Sequence, residues 1–373
     1  MSHSGKPIII GVFVDDMLRA HHQSDDDEVR SDEKILGSKF KLKNLGATKL
    51  ILGMVVERNQ QAGTIKLHQR PYIESMIQQF SMSEERTQPT PMTPDAQRGL
   101  IESQVQLKNE ATMAKIAAKA SGEELSLQRK HTLALKADDS GRITVCAATM
   151  PAVIGSLNFA ATSTRPDIAM AVNVIARSNS SPTEGSVAAA KYLLQYLKGT
   201  AALGLTFSAQ GAQVLEAYSD SDWGGDNSDA KSTTGTLLTF AGSAIFWRSQ
   251  KQATVALSST EAEYVACSEA CRDVVAARAA LAQMGCAQPD PTPLFIDNRT
   301  TISMVLDDST MARRKHINVR HHYVRQEALE HRTVTPVWVS TEKQLADIFT
   351  KALPRQQFTL LREQVMGTQL ISS

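Results

Sequence analysis

The sequence lacks long apolar runs and an excess of either charge. No stretch reaches the 18 apolar residues typical of a membrane span, and the run IIIGVFV at residues 8–14 is also too short for a signal peptide. We therefore expect a soluble protein with no membrane association. The 40 basic and 39 acidic side chains leave a net charge of +1, which by itself indicates no partner of either sign.

The sequence also has few cysteines. Its four cysteines are Cys146, Cys267, Cys271 and Cys286, and no pair has the C-x-x-C spacing of zinc and redox sites. None of them is flanked by regularly spaced histidines. This pattern favours free thiols in a reducing compartment over a disulfide framework.

Composition and hydrophobic periodicity divide the 373 residues into four segments. Residues 1–92 contain a predicted hairpin, KLILGMVVERNQQAGTIKLHQ, and a predicted amphipathic helix, RPYIESMIQQFSM. Residues 93–148 are rich in Ala, Lys and Glu, which predicts a low-complexity tether with marginal helix. Residues 149–212 predict helices around a break at TRPD, with Pro166 in a first helical turn. Residues 213–365 alternate strands and helices, which predicts an α/β layer with a mixed sheet.

Two adjacent aspartates interrupt the apolar run near the start of the sequence. Asp15 and Asp16 stand in FVDDM, directly after the strand-like IIIGVF. Two like charges side by side in such a run are costly to bury. A polar hairpin turn is one arrangement that would accommodate them.

The last segment places acids at the ends of apolar strands. Asp220 follows an alternating strand in VLEAYSDSDWGG, with Asp222 two residues later, and Asp297 ends the short strand TPLFIDN. Asp347 stands on a helix predicted after the strand TVTPVWV. On pattern alone, Asp220 and Asp297 could also occupy a turn or cap a helix, and Asp347 could face solvent.

One predicted helix places its two glutamates on different faces. Ser258 is the expected N-cap, and Glu261 three residues later completes a capping box on the solvated face. Glu263 instead aligns with an apolar stripe that includes Cys267 and Val274. A carboxylate that faces a core is costly unless it is paired or bound to a metal ion. Glu263 is therefore the functional candidate, with a salt bridge at the edge of the core as the alternative.

These acids could converge at one end of a sheet. Four crowded carboxylates repel each other unless cations neutralise them, and ligand sets made only of oxygen suit Mg²⁺ or Mn²⁺. Two such ions about 3.5–4 Å apart activate a water molecule and stabilise a leaving phosphate oxygen. The expected chemistry is phosphodiester hydrolysis, with Asp220, Glu263, Asp297 and Asp347 as the metal ligands.

Several motifs resemble the Pol polyproteins of copia-type retrotransposons. YSDSDWGGD, KSTTG, ALSSTEAEY and VSTEKQLADIFTKALP are similar to the ribonuclease H domain of that family, over residues 215–365. GSLNFAATSTRPDIAMAVNVIAR is similar to the connecting region. FVDDM, LGATKLILGMVVER and HQRPYIESMIQQFSM are similar to the end of the reverse transcriptase palm and the start of its thumb. The tether is not covered by the resemblance.

The resemblance implies a fold and a catalytic set. The last domain would be a ribonuclease H-like mixed five-stranded sheet with flanking helices, preceded by a truncated α+β palm, thumb and connection. Asp220, Glu263, Asp297 and Asp347 match the family's catalytic and metal-binding positions, with two Mg²⁺ or Mn²⁺ ions as cofactors. Asp222 could substitute for Asp220. VSTEKQLAD contains no histidine, whereas some relatives have one there that helps product release.

Asp15 and Asp16 match the paired aspartates of the polymerase palm, which hold the metal ions for nucleotide addition. Family polymerases also need fingers and a third aspartate upstream. We therefore expect RNA-directed DNA polymerase activity to be incomplete here unless another chain supplies those parts. Arg19 is a charge where we expect an apolar residue. The resemblance implies a cytoplasmic location, in a virus-like particle, or a nuclear one.

The strongest local cluster of positive charge lies in RRKHINVRHH, at residues 313–322. Its residues would neutralise phosphates of an RNA–DNA hybrid or a template–primer: Arg313, Arg314, Lys315, His316 and Arg320. A solvated helix face is the alternative. Trp223, Trp247 and Trp338 are expected in the core rather than as stacking platforms. For the whole chain, the competing hypotheses are an active ribonuclease H and an inert relic that at most binds nucleic acid.

Overall fold

The computed structural model describes residues 5–121, 142–226, 229–306 and 323–371. Within these ranges the strands form three sheets, of two, four and five strands. Over the same ranges, no helix combines the length and the apolar character that crossing a membrane requires. All four cysteines are free thiols, as the sequence predicted.

The two N-terminal aspartates lie at the turn of a hairpin. Strands β1 (Ile9–Phe13) and β2 (Asp16–Ala20) pair antiparallel, so the aspartates lie in a strand–turn–strand arrangement. Asp15 follows Val14, whose φ of 51° belongs to the tight turn. Neither strand pairs with a further strand in the described part of the chain.

Arg19, the unexpected charge in β2, ties this hairpin to the following helix. Its guanidinium lies 2.7 Å from Glu33 Oε1 and donates to the carbonyl of Val29 at 3.1 Å. Both partners belong to helix α1 (Asp26–Lys39). A two-stranded hairpin is marginally stable by itself. The charge of Arg19 therefore has a structural role, because its contacts with α1 stabilise the hairpin.

A four-stranded sheet joins two distant parts of the chain. Strands β3 (Leu50–Ile51), β4 (Met54–Asn59) and β5 (Thr64–His68) follow one another, and the predicted hairpin is confirmed as β4–β5. Strand β6 (Gly204–Ser208) completes the sheet against β5, where the sequence predicted only helices. A side chain at Gly204 would lie 2.2 Å from a backbone oxygen of β5, so the close pairing depends on glycine.

Helices make up most of the described residues between β5 and β6. They are α2 (Arg70–Gln79), α3 (Pro94–Ser121), α4 (Met150–Ser163), α5 (Ala169–Ala176) and α6 (Glu184–Gly199). The predicted amphipathic helix is confirmed as α2, with Ile73, Ile77 and the following Phe80 buried. The predicted break at TRPD is confirmed as a 3₁₀ turn at Pro166–Ile168.

The structure differs from the predicted low-complexity tether. The long helix α3 starts within that segment, and Leu100, Ile101 and Gln104 on its first half are buried beside α5 and α6. Gln104 Nε2 donates to Ser178 Oγ at 2.9 Å. Overall composition obscures this helix, because a few side chains at helical spacing suffice to anchor it. Residues 122–141 lie outside the described ranges.

The C-terminal part contains the mixed five-stranded sheet that the resemblance implied. Its strands are β7 (Glu216–Asp226), β8 (Lys231–Phe240), β9 (Ser243–Lys251), β10 (Thr292–Ile296) and β11 (Val334–Trp338). Their order is β11–β10–β7–β8–β9, with β10 parallel to both neighbours and the other pairs antiparallel. This order and these directions define a ribonuclease H-like sheet.

Two cores lie on opposite faces of this sheet. The helices of this part are α7 (Ser259–Gln283), α8 (Arg299–Leu306) and α9 (Arg355–Val365). Neighbouring side chains of a strand point to opposite faces. Leu238 of β8 therefore joins a core with α7 and α8, whereas Leu237 joins a core with α4, α6 and α9. The helices that precede β6 thus cover one face of the ribonuclease H-like sheet.

A buried ion pair links these helices to α9. Arg165 is fully buried, and its guanidinium donates to both carboxylate oxygens of Asp167, at 2.8 and 2.7 Å. Tyr196 of α6 donates to Asp167 Oδ2 at 2.5 Å, and Arg362 of α9 donates to the Tyr196 oxygen at 3.2 Å. Burial alone would raise the pKa of Asp167, but Arg165, the Tyr196 hydrogen bond and the charge of Arg362 together outweigh burial and hold that pKa below its usual value.

Candidate active site

Strand register brings Asp220 and Asp297 to the same level of the sheet. In the parallel β10–β7 ladder Phe295 pairs with Tyr218, so two residues further along Asp297 lies level with Asp220. Asp220 is buried within β7 rather than in a turn. Asn298, not Asp297, caps α8 by accepting a backbone N–H at 3.1 Å. Asp220 therefore does not occupy a turn, and Asp297 does not cap a helix, although the sequence left both roles open.

Gly235 allows Asp347 to approach the same place. Gly235 lies opposite Asp220 in β8, and a Cβ there would lie 2.7 Å from the carbonyl oxygen of Ala346. The missing side chain lets the 3₁₀ helix Leu345–Phe349 lie against the sheet. Asp347 is fully buried on this short helix, so it does not face solvent. A glycine on one strand thus places an acid from a distant segment beside Asp220.

Helix α7 turns its two glutamates to different sides, as the periodicity predicted. Ser258 Oγ accepts the Glu261 N–H at 3.2 Å, and Glu261 Oε2 accepts the Leu257 N–H at 2.7 Å. Glu261 therefore caps the helix. Glu263 is 6% exposed, and its Oε1 accepts the Ser221 N–H of β7 at 3.2 Å.

Three of the four predicted acids form a compact carboxylate cluster. One oxygen from each of Asp220, Glu263 and Asp297 lies within 4.8 Å of the other two. Asp347 lies beside this cluster and is paired with Lys351, whose Nζ lies 3.0 Å from Asp347 Oδ1 and 3.9 Å from Asp220 Oδ2. Asp220 is therefore shared between the carboxylate cluster and the ion pair.

Burial and mutual repulsion disfavour the ionised acids. Burial raises the pKa of Glu263 well above its ordinary value, and the charges of Asp220 and Asp297 raise it further. Burial and the charge of Asp220 also raise the pKa of Asp297, and they raise the pKa of Asp347 to about 8. The ionised site is thus short of positive charge.

The donor set fits a hard divalent cation. All of its side-chain donors are carboxylate oxygens, which suit Mg²⁺ or Mn²⁺. Glu263 Oε2 is buried and accepts no hydrogen bond from the described residues, which is costly unless a cation binds there. Asp220, Glu263 and Asp297 could therefore hold one ion, and Asp347 could complete the set.

The groups that orient these acids were not evident from the sequence. Thr350 Oγ1 donates to Asp220 Oδ2 at 2.5 Å, and Thr341 Oγ1 donates to Asp297 Oδ2 at 3.0 Å. Each threonine is remote in sequence from its acid, so no local pattern could reveal the contact. Lys351 did have a signal, because it stands four residues after an acid, a spacing that favours ion pairs.

The other predicted sites lie outside the carboxylate cluster. Asp15 and Asp16 are exposed, and the cluster does not include them. Asp222 is not part of it either, and burial raises the pKa of Asp222. The basic residues of 313–322 lie outside the described residues: Arg313, Arg314, Lys315, His316 and Arg320.

Two of the three tryptophans differ from the prediction of a core position. Trp223 and Trp338 are about half exposed, whereas Trp247 packs against the core and its Nε1 donates to the Ala161 carbonyl. Trp338 lies next to the cluster, because its Nε1 donates to the Asp297 carbonyl at 3.2 Å.

Comparisons with known proteins found a matching family model, similar sequences and similar solved structures. Residues 1–94 match the family model for reverse transcriptase (RNA-dependent DNA polymerase). The chain is 31% identical over 358 residues to the retrovirus-related Pol polyprotein from transposon TNT 1-94 of Nicotiana tabacum, covering 96% of this chain and 24% of that protein. It is 35% identical over 206 residues to the Pol polyprotein from transposon RE1 of Arabidopsis thaliana, covering 55% and 14%. A solved ribonuclease H1, LC11 from compost, matches with 14% identity and a TM-score of 0.30, covering 37% of this chain and 93% of its own.

The fold and the site define a polypeptide in which a reverse transcriptase segment is joined to a ribonuclease H-like domain. Strand β6, which directly precedes the ribonuclease H-like sheet in the chain, pairs with β5 of the reverse transcriptase segment. The two parts are therefore joined by a shared sheet. The resemblance to copia-type retrotransposon Pol polyproteins that was drawn from the sequence is confirmed. The chain spans about a quarter of the length of the tobacco relative, 24%.

We expect Mg²⁺ or Mn²⁺ to raise the melting temperature of the protein. The acids converge only in the folded state, so a bound ion stabilises that state by mass action, about 2.7 kcal/mol at 100 times the dissociation constant. Asp297→Asn should stabilise the metal-free protein and remove the response to metal. Scanning calorimetry in EDTA and in Mg²⁺ measures both, with the exposed Asp290→Asn as the control. A melting temperature indifferent to Mg²⁺ would contradict convergence of the acids.

We also expect the metal-free protein to lose stability through Asp347 as the pH rises. The folded-state pKa of about 8 lies above the unfolded value, so the folded state keeps a proton that the unfolded state has released. The favourable contribution of protonated Asp347 to the free energy of unfolding is fully present below pH about 4, and it is lost as the pH rises towards about 8. Asp347→Asn should therefore gain stability relative to the parent over that range. Urea unfolding in EDTA measures the difference, which must grow with pH.

Proposed function

We propose that this chain hydrolyses the RNA strand of RNA–DNA hybrids. The observation that carries the proposal is the carboxylate cluster, in which oxygens of Asp220, Glu263 and Asp297 lie within 4.8 Å of one another on a ribonuclease H-like sheet. The reverse transcriptase segment supports the choice of substrate, because copying RNA into DNA produces such a hybrid.

The proposed reaction uses the four acids as ligands of divalent cations. Asp220, Glu263 and Asp297 would hold one ion, and Asp220 with Asp347 would hold the other. Bound ions activate a water molecule and neutralise charge on the leaving oxygen. Hydrolysis of the bond between phosphorus and the 3′ oxygen leaves a 3′ hydroxyl and a 5′ phosphate on the RNA.

Hydrogen bonds from the protein fix the acids for this role. Thr350 holds Asp220 through Oδ2, and Thr341 holds Asp297 through Oδ2. The Ser221 N–H holds Glu263 through Oε1, which leaves Oε2 free for a ligand. Side chains held in this way lose little conformational freedom when a cation or substrate binds.

An exposed aromatic and cationic pair beside the cluster supports contact with the hybrid. The Arg299 guanidinium lies 4.1 Å from the centre of the Trp338 ring, and both side chains are exposed. Aromatic rings stack on bases, and guanidinium groups bind phosphates, at many nucleic-acid surfaces. The basic residues of 313–322 would add positive charge for binding phosphates.

Cleavage of a labelled hybrid tests the proposed function. With Mg²⁺, the purified chain should shorten the RNA of a 5′-labelled RNA–DNA hybrid and leave 3′ hydroxyl ends. Single-stranded RNA, duplex RNA and the DNA strand should remain intact, and EDTA should stop the reaction. A hybrid that stays intact with both Mg²⁺ and Mn²⁺ would favour an inert relic that only binds nucleic acid.

We expect the chain alone not to extend a DNA primer. Asp15 and Asp16 lie on a hairpin that pairs with no other strand among the described residues, and the apolar side chains of Val12 and Phe13 are exposed there. No third acid in the described ranges joins the two aspartates in a metal-binding group. Incubation with template–primer and nucleotides measures extension, with an intact reverse transcriptase as the control. Template-directed incorporation would contradict this expectation.

A further inference from the structure

The candidate site already contains one positive charge from a protein side chain, the ammonium of Lys351. Lys351 Nζ lies 3.0 Å from Asp347 Oδ1 and 3.9 Å from Asp220 Oδ2. Both acids are buried, so this ammonium neutralises charge that solvent reaches poorly. Glu263 Oε2 and both carboxylate oxygens of Asp347 are buried and accept no hydrogen bond from the described residues. Of these two acids, only Asp347 has an ammonium group beside it, and in this respect the two differ.

We infer that Lys351 is a resident cation at the second metal position. The free protein then binds one divalent ion tightly at Asp220, Glu263 and Asp297. A second ion binds between Asp220 and Asp347 only when the ammonium withdraws. The inference rests on the proposed function and adds to it an order of cation binding and a positioning residue.

The side chain of Lys351 is suited to such a withdrawal. It is 38% exposed although its partners are buried, so its ammonium has a direct route to solvent. A flexible four-carbon stem allows the movement without a change in the backbone. Mg²⁺ binds carboxylate oxygens at roughly 2.1 Å, and it repels a nearby ammonium. The ion and the ammonium therefore exclude each other at these oxygens.

Substrate would shift this competition towards the metal ion. A phosphate of the bound hybrid adds negative charge and oxygen ligands next to the carboxylate cluster. Both additions favour a divalent ion over a monovalent ammonium. The displaced Lys351 is then free to contact a phosphate of the hybrid. The complete set of two ions would follow hybrid binding rather than precede it.

Titration of the full chain with Mn²⁺ tests the inference, with free Mn²⁺ followed by electron paramagnetic resonance. The parent protein should bind one ion, and a second at least about 10-fold more weakly, as expected for coupling between neighbouring sites. Lys351→Met removes the charge, and it should tighten the second ion by about 10-fold and the first ion, which shares Asp220, by less. Lys351→Arg keeps the charge and should resemble the parent. Lys343→Met, which removes an exposed lysine nearby in the sequence, is the control.

The outcomes separate this inference from the proposed function. Two equally tight ions in the parent would overturn the inference, whether or not the variants fold. An unchanged second affinity in Lys351→Met, with a native circular dichroism spectrum, would also overturn it. In both cases the metal site itself stands. Failure of the parent to bind any Mn²⁺, together with an intact hybrid, would instead overturn the proposed function.

Discussion

Glu263→Gln is expected to abolish cleavage of the RNA–DNA hybrid, with a fall in rate of about 10²-fold or more. Glutamine keeps the shape of the side chain and can still accept the Ser221 N–H, so the helix should stay in place. The substitution removes the negative charge of a buried acid in the carboxylate cluster. Loss of one ligand weakens stabilisation of the transition state by about 2.7 kcal/mol or more.

Glu261→Gln is the matched control, because it makes the same change two residues earlier on α7. Glu261 caps the helix and lies outside the cluster, so the variant should lose about 1 kcal/mol of stability at most. Its cleavage rate should stay near that of the parent. Single-turnover cleavage at saturating Mg²⁺ and thermal unfolding of both variants decide the matter. Equal losses of rate, or a loss from Glu261→Gln alone, would show that the wrong face of α7 has been assigned to the site.

Asp167→Asn is expected to destabilise the protein by about 3–5 kcal/mol, the usual cost of breaking a buried ion pair. The variant would leave the Arg165 guanidinium charged and fully buried without its carboxylate. It would also replace the acceptor that Tyr196 uses, which weakens the link to α9. The free energy of unfolding, measured by denaturant titration, should fall by this amount.

Two comparisons distinguish the buried pair from an ordinary ion pair. Asp95→Asn breaks the exposed pair with Arg98, whose atoms lie 3.6 Å apart, and should change stability little. The double replacement Arg165→Met with Asp167→Leu should recover much of the loss, because it leaves no unpaired charge. If Asp167→Asn behaves like the exposed control, the buried pair contributes far less than its contacts indicate.

Sequence patterns predicted those side-chain positions in the site that depend on the periodicity of a single helix or strand. The 3.6-residue period of α7 placed Glu263 towards the core and Glu261 at the N-terminus, and both positions are confirmed. The strand ending at Asp297 was evident from a short apolar run. Local periodicity suffices there because the side-chain direction depends on the element alone.

The features that the sequence did not predict depend on contacts between segments that are distant in the chain. Asp347 is buried because Gly235, more than a hundred residues earlier, leaves space for its 3₁₀ helix. No local pattern around Asp347 carries that information. The length and packing of helix α3, predicted only as marginal helix, were missed for a related reason, since its anchoring residues are few and the composition of the segment resembles a tether. Strand β6 was missed because its partner, β5, is remote in sequence.

The core shared across one face of the ribonuclease H-like sheet constrains how a longer polyprotein could be processed. Leu237 and Ala244 of the sheet lie in the same core as Leu157 of α4 and Leu193 of α6. A cut just before β7 would separate these partners and leave apolar sheet surface in water. Proteolytic release of the ribonuclease H-like domain with this core intact would therefore have to cut upstream of α4. The released unit would then be the ribonuclease H-like domain together with its preceding helices, rather than that domain alone.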